Sequence, residues 1–177
     1  LDCWEKSSQL DEKFPTVHRN LALVYYNKQN KAQAAKQAME KAFHLNNTDA
    51  RVLMELDQLY KKMNVSINDR LYLLVKHPDL VDFRDDLYLE KLSLYNLKGE
   101  EEKALELLMK RKFHPWEGGE GKVTGQYLYS HIEIAKNCIE SGQAEKAIQH
   151  LKATAIYPHN LGEGKLIGAL ENDIHYW

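Results

Sequence analysis

The chain has 177 residues, enough for one domain or one short repeat array with a proper core. Hydrophobic residues make up 44% and charged residues 28%, and a formal net charge of -2 excludes the strongly basic footprint of a nucleic-acid binder. No apolar run approaches the roughly 20 residues that span a bilayer, which excludes a membrane-spanning helix and leaves no membrane partner expected. Four prolines and nine glycines leave most of the chain free to be helical. Cys3 and Cys138 lie far apart within helical patterns. Free thiols in a reducing, cytoplasmic setting are therefore expected rather than a disulfide framework.

Residues 1–12 read as the second helix of a unit whose first half is absent, with Trp4, Ser8 and Leu10 on one face. Phe14-Pro15-Thr16 interrupts it, and Thr16 is the expected N-cap of a helix from Val17 to Asn27. Leu21, Val24 and Tyr25 recur there at i, i+3, i+4. After the turn Gln29-Asn30, a helix over 31–45 carries the small-residue stripe Ala32, Ala35, Ala38 and Ala42. Such a stripe lets two antiparallel helices approach closely. Thr48 or Asp49 caps a helix over 50–63, and Ser66 to Lys76 is its partner. Pro78 ends that partner, and a helix is expected over 82–98, closed by Gly99. Helices over 100–111, 124–141 and 144–156 follow, with Gly142 between the last two. A final helix is expected over 166–177. The first helix begins uncapped and the last has no partner, so the sequence reads as a segment of a longer chain with both ends open. Apolar ends of that kind predict a homodimer through the exposed repeats.

One glycine-rich run stands out, His114-Pro115-Trp116-Glu117-Gly118-Gly119-Glu120-Gly121-Lys122. It is echoed 43 residues later by Tyr157-Pro158-His159-Asn160-Leu161-Gly162-Glu163-Gly164-Lys165. The same offset carries Gly99 onto Gly142 and Ala104 onto Ala147. Ala35 to Ala104 spans about two periods of 34. A helix–turn–helix unit of that length resembles the tetratricopeptide repeat. Gly99, Ala104 and Leu108 fit its pattern, as do Gly142, Ala147, Leu151 and Pro158. Asn30, Ala35, Met39 and Ala42 fit with asparagine at the turn. The unit over 50–78 is degenerate, with Asn64 and Asp69 in place of glycine and alanine. The resemblance implies an all-α fold of stacked antiparallel helix pairs, a right-handed solenoid. It divides 1–177 into partial repeats at 1–14 and 166–177, and repeats at about 16–48, 49–81, 82–123 and 124–165. Arg19-Asn20-Leu21-Ala22, Arg84-Asp85-Asp86-Leu87-Tyr88, the first glycine-rich run together with Phe113 before it, and Asn160-Leu161-Gly162-Glu163-Gly164-Lys165 also resemble the repeat region of large bacterial proteins. In those proteins an N-terminal, mutarotase-like β-domain of unassigned function precedes the repeats.

Two readings of the glycine-rich loops stay open. In one, the glycines serve a compact inter-helix loop and Trp116 plugs a gap between repeats. In the other, His114, Trp116, Glu117, Glu120 and Lys122 line a ligand site with His159, Asn160, Glu163 and Lys165. An aromatic face can stack on a sugar or a peptide side chain, and carboxylates accept hydrogen bonds from hydroxyls. A phosphate loop is excluded, because Trp116 stands where its first glycine belongs and Val123 follows the lysine. No metal is expected, since the histidines are scattered and no C-x-x-C pair occurs. No cofactor motif is present. A carboxylate clamp is disfavoured: Asn20 suits it, but the next first-position helix offers Val52, Met54 and Glu55 and no lysine. The leading reading is a non-enzymatic protein- or peptide-binding scaffold. The alternative is carbohydrate recognition through loops 113–123 and 157–165.

Overall fold

The computed structural model describes residues 2–165 and 176–177, so the expected helix over 166–177 lies almost wholly outside the described residues. Among the described residues there are ten α-helices, one 3-10 turn and no strand. They group into two compact units, residues 1–84 and 85–177.

The first unit holds α1 (Asp2–Leu10), α2 (Pro15–Asn27), α3 (Ala32–Leu45), α4 (Ala50–Lys62), α5 (Ile67–Lys76) and α6 (Pro78–Phe83). The start of α2 differs from expectation. Phe14 is extended and Pro15 takes the first helical position, so Thr16 lies inside the helix and caps nothing. Proline suits that place because the amide it lacks would be unpaired there anyway. Asp49 is the cap of α4, its carboxylate accepting from the amides of Arg51 and Val52 at 2.9 and 3.4 Å. The same proline logic makes Pro78 start α6 where the sequence suggested only an interruption.

The second unit holds α7 (Asp85–Leu97), α8 (Glu101–Lys110), α9 (Lys122–Glu140), α10 (Ala144–Ala153) and the 3-10 turn His159–Leu161. Arg84 is extended, so the single helix expected over 82–98 is two elements, α6 and α7. Helix α7 buries residues on every side, from Leu87 and Tyr88 to Tyr95 and Asn96. Ile134, Ala135, Cys138 and Ala147 form a buried cluster where α9 crosses α10.

The pair-forming turns share one geometry. Asn30, Asn64, Gly99 and Gly142 all have φ between 53° and 80°. The left-handed region is open to glycine and tolerated by asparagine, which is why these residue types punctuate the array. The amides of Val65, Glu100 and Gln143 each donate five residues back, to Tyr60, Tyr95 and Cys138. The first turn is one residue longer, Lys31 donating to Tyr25. Side-chain contacts repeat as well. The Tyr25 hydroxyl donates to Glu5 across α1 and α2, and the Tyr60 hydroxyl to Glu40 across α3 and α4.

The degenerate repeat departs from this scheme. Ala22 and Ala35, and likewise Ala135 and Ala147, are buried at the crossings of α2 with α3 and of α9 with α10. At the corresponding places α4 and α5 carry Asp57 and Asp69. Asp57 is fully buried and is met by Arg70, whose guanidinium donates to both carboxylate oxygens at 3.0 and 2.8 Å. Asp69 is exposed. A second unpaired carboxylate against Asp57 would be strongly unfavourable. The α4/α5 pair is therefore held by an ion pair instead of a small-residue contact. No described helix is long and apolar enough to cross a membrane.

Candidate functional site

The two glycine-rich segments do not make equivalent loops one repeat apart. They meet within the second unit, and the second segment binds the ends of two helices. The Asn160 amide donates to the carbonyls of Leu108, Met109 and Arg111 at 3.2, 3.4 and 3.0 Å. These carbonyls lie at and just past the end of α8, where the regular helical bonding pattern runs out. The Asn160 carbonyl in turn accepts from the Phe113 amide at 2.8 Å. Glu163 does the reciprocal service at the start of α9. Its carboxylate accepts from the amides of Gly121 and Thr124 at 2.8 and 2.9 Å, and from the Thr124 hydroxyl at 3.1 Å. Gly121 is the N-cap residue of α9 and has no side chain to offer, so Glu163 caps the helix from elsewhere. A carboxylate also suits the positive end of the helix dipole.

The approach is close enough to require glycine at one position. Gly162 has φ +74°, and a Cβ there would lie 2.5 Å from the Phe113 carbonyl oxygen. Gly119 is needed for another reason: a Cβ on it would lie 2.2 Å from the Trp116 ring. The buried plug beneath the loop is Phe113, 2% exposed, while Trp116 is half-buried. Phe113 packs edge-on to Tyr88 at 6.0 Å and lies beside the Arg111 guanidinium.

Asp85 anchors the start of the loop. Its carboxylate accepts from Arg111 Nε at 2.6 Å, from the His114 amide at 2.9 Å and from the His114 ring at 3.3 Å. Burial raises the Asp85 pKa, but the bonds from His114 and Arg111 outweigh it and hold the group below the usual carboxylate value.

Together these contacts shape a cleft of about 260 Å³. Of the residues expected from sequence, His114, Trp116, Glu117, Glu120 and Glu163 line it, over a floor that includes Val123 and Leu161. Glu117 and Glu120 are exposed at its rim, and Glu163 is occupied by its three bonds. Lys122, His159 and Lys165 are exposed and do not line the cleft, and Asn160 is turned to α8. Among the described residues no group of three or more His, Cys, Asp or Glu is placed to hold a metal ion. Sequence reasoning missed Asp85, Arg111 and Phe113 as builders of the site. The only signal was that Asp85 and Phe113 stand in the segments that resemble the bacterial repeat region.

A second polar feature was also missed. The Nδ1 atoms of His131 on α9 and His150 on α10 lie 2.9 Å apart, one donating and one accepting. Tyr127 packs edge-on to His131 at 4.6 Å.

No family model matches the chain. Two solved structures of MamA are similar to it. One has a TM-score of 0.56 at 17% identity, covering 86% of this chain and 82% of the other. The second also has a TM-score of 0.56 at 17% identity, covering 85% and 76%. The fold is a tetratricopeptide-like helical repeat. Likeness at this identity speaks for the fold alone.

The capping role of Glu163 makes a direct prediction. Glu163→Ala is expected to destabilise the chain by about 1–2 kcal/mol, and Glu163→Gln by less, since the amide keeps one acceptor. Urea denaturation measures the loss. Amide exchange should localise it to Gly121 and Thr124; unchanged protection there would dismiss the cap.

Proposed function

We propose that the chain is a non-enzymatic, protein- or peptide-binding scaffold, and that the cleft beside Trp116 takes a basic side chain of its partner. The carrying observation is the pairing of a half-buried indole with two exposed carboxylates, Glu117 and Glu120, on one small cleft. A lysine or arginine head group is attracted to a tryptophan face and to carboxylates at once. The helical-repeat fold supports the reading, since stacked helix pairs present extended binding surfaces. A partner within the same longer chain is part of this proposal.

Carbohydrate recognition is less well supported by the geometry. It drew on polar groups from both loops, and Asn160 and Glu163 are engaged in capping helices. A hydrolytic role through Glu117 and Glu163 suffers likewise, because Glu163 is engaged at the start of α9.

The test is a titration followed by tryptophan fluorescence, using an arginine-rich peptide and, separately, a panel of oligosaccharides. Saturable quenching by the peptide is expected, lost in Trp116→Ala and weakened about tenfold in the Glu117→Gln/Glu120→Gln double variant. A response to one sugar and none to the peptide would overturn the reading in favour of carbohydrate.

A further inference from the structure

The degenerate repeat leaves a groove in the first unit, of about 600 Å³, walled by α3, α4 and α5. Its floor is apolar, with Phe43, Leu56, Tyr60 and Leu73. Phe43 meets His77 edge-on at 5.0 Å and closes one end. Asp69 lies in the wall, at the position where Ala35, Ala104 and Ala147 are buried in other repeats. The substitution that spoils the repeat pattern is thus part of the opening.

The charged groups around this groove differ in their hydrogen bonding. The two carboxylates already have internal partners: Asp69 accepts from the Ser66 hydroxyl at 2.7 Å, and Glu40 accepts from the Tyr60 hydroxyl. Burial, and then Glu40, push the Tyr60 phenol far up, so it stays a neutral donor. The cations remain turned to the groove. Lys76 sits 5.9 Å from the centre of the Tyr72 ring and has no carboxylate partner among the described residues. Lys36 lies 5.4 Å from the centre of the Tyr60 ring, with Glu40 at the longer ion-pair distance of 3.9 Å. Tyr72 is 69% exposed beside them.

We propose that this groove is a second peptide site, for a partner segment that sets one large apolar side chain among carboxylates. The apolar side chain fills the floor over Leu56 and Leu73, and the carboxylates meet Lys36 and Lys76 at the rim. The charge preference is opposite to that of the cleft beside Trp116. The proposal rests on the scaffold reading only in making the ligand a peptide.

The experiment is fluorescence anisotropy with the whole chain and a labelled peptide of leucine and phenylalanine set among glutamates. The control is the same peptide with lysines in place of the glutamates. Saturable binding of the acidic peptide is expected, weakened about tenfold or more in Lys36→Glu/Lys76→Glu and reduced in Tyr72→Ala. Lys76 and Tyr72 are exposed and Lys36 is half-buried, and circular dichroism verifies that each variant keeps the fold. Trp116→Ala should leave this binding unchanged, which separates failure here from failure of the other site. Equal binding of the lysine peptide, indifference to the Lys36/Lys76 reversal, or no binding at all would overturn the proposal.

Discussion

Arg70→Ala is expected to destabilise the first unit by about 3–5 kcal/mol, because it leaves the Asp57 carboxylate buried without its countercharge. Asp57→Ala should cost a similar amount for the converse reason. Both side chains are almost wholly out of water, at 0% and 6% exposure, and their two parallel bonds leave little room for relaxation. The neighbouring repeats supply the control. Ala22 and Ala135 stand where Asp57 does, and Leu105 and Ile148 where Arg70 does. The double variant Asp57→Ala/Arg70→Leu restores that pattern and should recover most of what either single change loses, since apolar replacement of a buried ion pair is often neutral or better. Urea denaturation of the four proteins closes the double-mutant cycle. Two single losses that simply add would show that the pair does not act as a unit.

Acidification from about pH 7 to pH 4 is expected to destabilise the second unit by about 3 kcal/mol through His131 alone. Burial, and then the neighbouring His150, lower the His131 pKa from its ordinary 6.5 to about 4. The direction follows from proton binding. Between those two values the unfolded chain takes up a proton that the folded chain refuses. The contribution is therefore whole above pH 6.5, declines as pH falls, and is gone by about pH 4. His150 adds in the same sense, lowered by burial and then Lys146, with Glu102 opposing. Geometry gives the same answer, because two protonated rings would set N–H against N–H across 2.9 Å. Asp85, held below the usual carboxylate value, loses its contribution in a lower window, as pH falls through its depressed pKa. Urea midpoints across the range test this: His131→Gln should flatten the slope between pH 6.5 and 4. A slope unchanged by that variant would place the acid sensitivity elsewhere.

Short-range physics accounts for what the sequence alone determined. The helices follow from apolar spacing, and the pairing turns from Asn30, Asn64, Gly99 and Gly142, whose left-handed backbone few other residues accept. The buried stripe of Ala35, Ala42, Ala104 and Ala147 was legible for the same reason, since small residues at helical spacing have few other uses. Even the misplaced starts at Pro15 and Pro78 are local matters, in which a proline that ends one helix also begins the next.

The candidate site was decided at longer range. Repetition marked 113–123 and 157–165 as important, yet read alike from sequence they did unlike things. One forms most of the cleft, and the other, besides adding Leu161 and Glu163 to its lining, supplies caps 39 to 52 residues away along the chain. Asn160 and Glu163 look like ligands because they are polar and near glycines. Only the return of the chain onto α8 and α9 makes them partners of orphaned backbone groups. Phe113, Asp57 with Arg70, and His131 with His150 share that dependence. Each residue type is compatible with a surface or a core, and the choice is made by which neighbour the fold brings within hydrogen-bonding or van der Waals distance. Helix and turn formation draws on contacts within a few residues, whereas burial and pairing of polar groups draw on the whole packed arrangement.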